Sequence, residues 1–147
     1  MADDDTEARE GNHEEQGAES VDPVPAPIPD EVAAAAGAKF AGTVFVETHG
    51  QAVLHVDRAH WHDVASFLRD EEQFTQCLDV CAVDHLVDAA REVPPGVSAE
   101  RFEVVANFLS HPRNRRIRTI CQVPLDEPVV ASLVDVYPGV GFAERGT

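Results

Sequence analysis

Arg101-Phe-Glu-Val-Val-Ala-Asn-Phe-Leu109 alternates along its length. Phe102, Val104, Ala106 and Phe108 share one face, and Glu103, Val105, Asn107 and Leu109 the other. A period of two with one apolar face is the pattern of a strand laid on a core. The turn residues Ser110-His-Pro-Arg-Asn114 follow, then a second run, Arg115 to Val123. There Ile117, Thr119, Cys121 and Val123 face one way, and Arg116, Arg118, Ile120 and Gln122 the other. The two runs are expected to pair antiparallel across the turn.

Upstream of this pair, Phe74 to Val83 reads as a further strand, with a helix left open as the alternative. Leu86 to Pro95 reads as connection, stopped by Pro94-Pro95-Gly96. Trp61, Val64, Phe67 and Leu68 form one apolar stripe at helical spacing, with His62, Asp63, Ser66 and Arg69 mostly outside it. Asp57 is placed to cap that helix, and the charged run Arg69-Asp-Glu-Glu72 to end it. Thr43-Val-Phe-Val-Glu47 and Ala52-Val-Leu-His-Val56 read as a hairpin, its turn using Gly50 at positive φ. Asp30 to Ala38 is Ala-rich and predicts a short helix capped by Asp30. Helices and clustered strands in this order predict an α+β two-layer sandwich over residues 30–147.

Charge is uneven. Residues 1–30 hold ten acids and one base, Arg9, and carry net −9 of the chain's −16. Large apolar residues are almost missing before Val21, and Val21-Asp-Pro-Val-Pro-Ala-Pro-Ile-Pro29 follows. Such a segment buries too little surface to offset its ordering entropy, so residues 1–29 are expected to be a disordered acidic, Pro-rich tail. An acidic balance argues against nucleic acid as the main partner. No apolar run approaches the ~20 residues that span a bilayer. The acidic N-terminus argues against a secretory or mitochondrial presequence. Three cysteines give no disulfide framework, and a cytosolic chain is the simplest reading.

Several constellations bear on chemistry. Cys77 and Cys81 on a strand lie about 13 Å apart, too far to share a zinc ion. On a helix they could meet, with His85 as the nearby third ligand, but buried apolar cysteine is preferred. His60-Trp61-His62 reads as solvent-exposed histidines flanking a core Trp, because residues two apart on a helix do not face each other. Gly139-Val-Gly141 does not match a dinucleotide fingerprint, since Arg145 stands at the sixth position, and is read as a turn. Arg113, Arg115, Arg116 and Arg118 form a basic cluster that is either a solvated hairpin face or a contact patch for an acidic partner. Tyr137 and Phe142 bracket Pro138-Gly139, as core residues or as interface anchors. Ser132-Leu-Val-Asp135 has capping-box spacing and predicts a short helix ended by Pro138-Gly139. With no catalytic set among these residues, a binding or assembly module is favoured over an enzyme.

Arg101-Phe-Glu-Val-Val, Leu109-Ser, Asn114-Arg-Arg-Ile-Arg118, Val123-Pro-Leu, Pro128, Ser132-Leu-Val-Asp-Val-Tyr-Pro-Gly139 and Glu144-Arg145, taken in order, resemble the thirty-kilodalton subunit of the respiratory NADH–quinone oxidoreductase, complex I. Val56-Asp57, Trp61, Val64 and Phe67-Leu68-Arg69-Asp70 are similar to that family's first long helix, and Asp79 and Ala82-Val83-Asp84 to the strand after it. The resemblance covers about residues 38–145 and implies a two-layer α/β fold with a mixed sheet. It implies a non-catalytic place in the peripheral arm, on the cytoplasmic side of the bacterial membrane, packed against the large quinone-site subunit. NADH, flavin, iron–sulfur clusters and quinone would belong to neighbouring subunits, and none to this chain. The membrane would be met only through the complex. Asp135, Tyr137, Pro138, Glu144 and Arg145 are then expected at the subunit interface, with Tyr137 as an apolar anchor and Glu144 and Arg145 pairing with partner charges. Arg115, Arg116 and Arg118 are a second candidate set. The family motif continues past Glu144-Arg145 with a further Glu and an Asp-hydrophobic-aromatic-Gly run, so the domain is expected to be incomplete at its C-terminus. The rival expectations are a free-standing acidic binding module and the equivalent subunit of a related membrane-bound hydrogenase-type complex.

Overall fold

The computed structural model describes residues 30–147. The expected tail, residues 1–29, lies outside the described residues. Helix α1 spans Glu31–Lys39, strands β1 and β2 span Val44–Thr48 and Gln51–Val56, and helix α2 spans Trp61–Asp70. Strands β3, β4 and β5 follow at Gln76–Asp84, Phe102–Ser110 and Arg115–Val123, and helix α3 at Gly141–Arg145. The five strands form one sheet in the order β1-β2-β5-β4-β3. All neighbours are antiparallel except β2 and β5, which run parallel, so the sheet is mixed. From β2 the chain crosses through α2 to the far edge at β3, and β4 and β5 then meander back to meet β2.

Local chemistry accounts for most of the elements. The Asp30 carboxylate accepts from the amides of Val32 and Ala33 at 3.0 and 3.1 Å and so caps α1. β1 and β2 are joined by the two residues His49 and Gly50, at φ 53° and 73°. Both central residues at positive φ match the right-handed twist of a hairpin, and Gly50 adopts this conformation without a Cβ clash. Asp57 accepts from the Ala59 amide at 2.8 Å and opens a single tight turn, Arg58–His60, that leads into α2. β4 and β5 pair from Phe102↔Val123 to Ser110↔Arg115 without a slip. Phe74 to Val83 does supply a strand, β3, rather than a helix; it lies at the edge of the sheet and carries a bulge between Cys77 and Asp79. The bulge puts Cys77 opposite Phe108 and Cys81 opposite Val105, on opposite faces of the sheet.

One face of the sheet holds the core. Leu54, Ala106, Phe108, Ile117, Cys121 and Val123 join Val32 and Ala36 of α1 and Trp61, Val64, Phe67 and Leu68 of α2 in one buried cluster. The stripe expected on α2 is therefore the stripe that is buried. On the opposite face the 85–101 connection lies across the sheet. Arg91 reaches Glu103, Gln122 and the Glu100 carbonyl, and Gly96 stands against the Val44 side chain. Glu103 also accepts from Gln122 at 2.6 Å and meets His85 Nε2 at 3.0 Å. Burial works against its charge, but the hydrogen bonds from Gln122 and His85 and the charge of Arg91 outweigh that and hold the carboxyl below the usual glutamate range.

The C-terminal stretch departs from expectation. Residues 132–137 make a single turn, in which the Val136 and Tyr137 amides both bond the Leu133 carbonyl at 3.0 and 2.7 Å. No helix forms there. Pro138 lacks the amide that would continue it and keeps Tyr137 out of helical geometry, at φ −128° and ψ 89°. Instead of ending a helix, Pro138 starts one: Pro138–Val140 is a tight turn that passes directly into α3. Gly139 and Gly141, expected in a plain turn, stand in that turn and at the first position of α3.

Candidate docking surface

The C-terminal segment is moored to the sandwich at several points. Arg58, at the foot of α2, donates to the Glu127 carbonyl at 2.7 Å and to its carboxylate at 2.6 Å. Arg69, near the end of α2, donates to the Val136 carbonyl at 2.6 Å. Between them His62 Nε2 meets both Asp135 oxygens, at 3.0 and 2.9 Å. That hydrogen bond, with the charge of His62, holds the Asp135 carboxyl below the usual aspartate range. The sequence pattern leaves His62 merely facing solvent, and Asp135 capping its own helix. The two meet because α2 runs past the turn, a contact across 73 residues that no local pattern encodes.

Glu144 fills the capping role assigned to Asp135. Its carboxylate accepts from the Ser132 hydroxyl and from the Leu133 amide, both at 2.7 Å. Ser132 does cap the turn, accepting from the Val134 amide at 3.2 Å. Glu144 is thus engaged within the chain and only half-exposed.

Tyr137 is core. Its ring lies 5.2 Å from that of Phe108, and its hydroxyl donates to the Phe74 carbonyl at 2.7 Å. Burial pushes the phenol above its usual range. The expected surface anchor is therefore not Tyr137. A Tyr in a turn carries no periodicity that would tell core from surface.

Phe142 takes the exposed place. It is 84% exposed, with the Arg145 guanidinium 5.6 Å from its ring centre. Val134, Pro138, Gly141, Phe142, Glu144 and Arg145 line one open cleft of about 370 Å³. Three of the five residues expected at the interface, Pro138, Glu144 and Arg145, meet there. Asp135 stays exposed nearby, on the turn that carries Val134. A second groove of about 440 Å³ adjoins it through Glu144 and is floored by Ala82, Phe102, Val104 and Val123, with Pro128 and Val130 as its wall. Together they give α3 an apolar border with one cation, the composition of an interface centre.

The arginine set stands apart, on β5 and its hairpin. Arg113 donates to the Glu72 carboxylate at 2.7 Å, and Arg115 pairs with Asp30. Arg118 Nε donates to Asn107 Oδ1 at 3.0 Å, and Arg116 is exposed. Two of the four arginines are therefore already matched within the chain. Among the described residues no group of three His, Cys, Asp or Glu could hold a metal ion, and no helix is long and apolar enough to cross a membrane.

Comparison with known proteins adds to this geometry. The family described as "Respiratory-chain NADH dehydrogenase, 30 Kd subunit" matches residues 54–147. A subunit of the NADH-quinone oxidoreductase of Xanthomonas campestris pv. campestris (strain B100) is 32% identical over 148 residues, covering 74% of this chain. Its counterpart in Bordetella petrii is 37% identical over 121 residues, covering 76% of this chain. The chain spans 59% and 56% of the lengths of these two relatives. A solved structure, Nqo5 as its trypsin-resistant fragment 1–134, superposes with a TM-score of 0.64 at 22% identity, covering 77% of this chain and 83% of that one. That likeness speaks to the fold.

Proposed function

This chain belongs to the thirty-kilodalton subunit family of the respiratory-chain NADH dehydrogenase, and from that premise we propose that it is a non-catalytic subunit of a proton-translocating NADH–quinone oxidoreductase. Its place is the peripheral arm on the cytoplasmic side of the membrane, docked on the large quinone-site subunit. NADH, flavin, iron–sulfur clusters and quinone are held by its neighbours, and the membrane is reached through them. The α3 cleft is the docking surface, and the observation that carries this reading is Phe142, 84% exposed beside Arg145. A large aromatic left in water beside a cation is poorly placed in a free monomer and well placed as a buried anchor. The partner would offer an apolar pocket for Phe142 and a carboxylate for Arg145.

Co-purification tests this reading. The tagged chain is expressed in its own host, and the membranes are solubilised gently. Recovery of the large quinone-site subunit with cluster-bearing neighbours is the expected result. Recovery of a lone soluble monomer would overturn it and leave a free-standing binding module.

A further inference from the structure

We propose that residues 92–100 form an acid-released strap over the sheet face turned away from α1 and α2, with His55 beneath it as the trigger. Such a device is independent of the assembly role. His55 lies on β2 between Leu54 and Val56, which are buried against the helices, so its ring is on the opposite face. There it stands beside Val44 of β1 and Ile120 of β5. The strap lies over this row. Gly96 packs so near the Val44 side chain that an added Cβ would lie 3.4 Å from it. Gly96, Val97 and Ser98 line a cleft of about 370 Å³ together with His55, Ile120 and Gln122. At its end the strap is tied to the sheet, where the Glu100 amide donates to Gln122 Oε1 at 3.0 Å. Ahead of it, Arg91 donates to Gln122 and Glu103 at 2.9 and 3.2 Å.

His55 is only 9% exposed, and its Nδ1 is shut off from water with no hydrogen-bond partner among the described residues. A neutral ring can leave a bare acceptor there. A protonated ring carries a hydrogen on that nitrogen and a full positive charge, and burying both unpaired is costly. No neighbour offsets that cost at contact. β1 and β5 present Val44, Ile120 and Gln122, none of them titratable. At the end of β2, the Asp57 carboxylate accepts from the Ala59 amide and Arg58 is bound to Glu127. Glu100 of the strap lines the same cleft without a bond to the ring. Glu103 of β4 acts on His55 through its charge alone, and is held by Arg91, Gln122 and His85. Burial prevails over the pull of Glu103 and holds the imidazole below its usual range.

Lifting the strap lets water reach Nδ1 and returns the ring to its ordinary pKa of about 6.5. The open form therefore takes up the proton first. Closure is at full strength above about 6.5 and weakens as pH falls below it, by up to about tenfold per pH unit until the closed form is protonated as well. Glu103 stays ionised through this window and keeps Arg91 in place, because its carboxyl is held below the usual glutamate range. Mild acid thus lifts residues 92–100 and bares Val44 and Ile120, while the Arg91 anchor holds.

Amide hydrogen exchange on the full chain, resolved by NMR at pH 7 and pH 5.5 and corrected for the intrinsic rate at each, tests this. The Glu100 amide reports the strap leaving Gln122, and the amides of β4 and β5 serve as the internal control. From pH 7 to 5.5 the protection of Glu100 should fall about five- to tenfold while the control stays level. In His55→Gln, which cannot take the charge, Glu100 protection should be the same at both values. Unchanged protection in the natural chain would overturn the proposal, as would a fall of equal size in His55→Gln or a parallel fall across β4 and β5. Should His55→Gln not fold, the imidazole resonance of the natural chain decides. A ring that titrates below its ordinary value, in step with Glu100 exchange, upholds the strap, and one that titrates at or above it overturns it.

Discussion

Tyr137 owes its position to its hydroxyl as much as to its ring. The ring fills the core beside Phe108, and the hydroxyl satisfies the carbonyl of Phe74 as the chain leaves α2 for β3. Tyr137→Phe keeps the packing and strands that carbonyl, so it should cost about 1–2 kcal/mol in urea unfolding. Glu103 makes a different prediction, in pH. Its carboxyl is held below the usual range, so its contribution to stability is fully present above the unfolded glutamate pKa of about 4.3 and is lost as pH falls through the lower folded value. Glu103→Gln should therefore destabilise at pH 7, and its effect should shrink as pH is lowered below about 4.3, as chemical unfolding across that range would show. At this scale the sequence is legible where a residue's role is local. Asp30 and Ser132 announce themselves as caps by position alone. Asp135 and Glu144 do not, because the partner that fixes each, His62 or the Ser132 turn, lies 73 or 11–12 residues away.

Elements follow the same division. The strands can be read from alternation, and α2 from its stripe, because burial imposes the period of the element on its apolar residues. The turn at 132–137 passes for a helix in sequence because capping-box spacing says how a helix would begin and nothing of how far it continues. Pro138 decides that, by sitting at the first position of the next element. Helix α1 is held largely by its start. Its Ala-rich run buries little beyond Val32, Ala33 and Ala36. Asp30→Ala removes the cap and the partner of Arg115 together, and should lower stability by about 1–2 kcal/mol, with the loss visible as faster amide exchange across residues 31–36.

At the scale of the molecule, the α+β class and the two layers are readable, but the meeting of β2 with β5 is not. Those strands lie some sixty residues apart, and neither carries a mark that chooses its neighbour. The surface is half legible for a similar reason: Pro138, Glu144 and Arg145 share a cleft, while the exposed aromatic is Phe142 rather than Tyr137. Phe142→Ala should leave the stability of the isolated chain nearly unchanged, within about 0.5 kcal/mol in thermal unfolding. Combined with Arg145→Glu, it should reduce recovery of the complex at least tenfold, which corresponds to a loss of about 1.4 kcal/mol or more. A double variant that assembles like the parent would place the interface elsewhere.

The bulge in β3 turns three thiols into one handle. Burial pushes Cys77 up to about 11 and Cys121 up to about 12, so neither presents thiolate to a reagent near neutrality. Cys81 is exposed, and the extra residue at the bulge has turned it to the opposite face of the sheet from Cys77. A maleimide dye near neutral pH should consume one equivalent rapidly and the other two only on unfolding, as mass spectrometry would count. The native chain therefore carries a unique attachment point for a fluorophore, on the same side of the sheet as Arg118 and with no engineering needed, from which distances to that face become readable in solution.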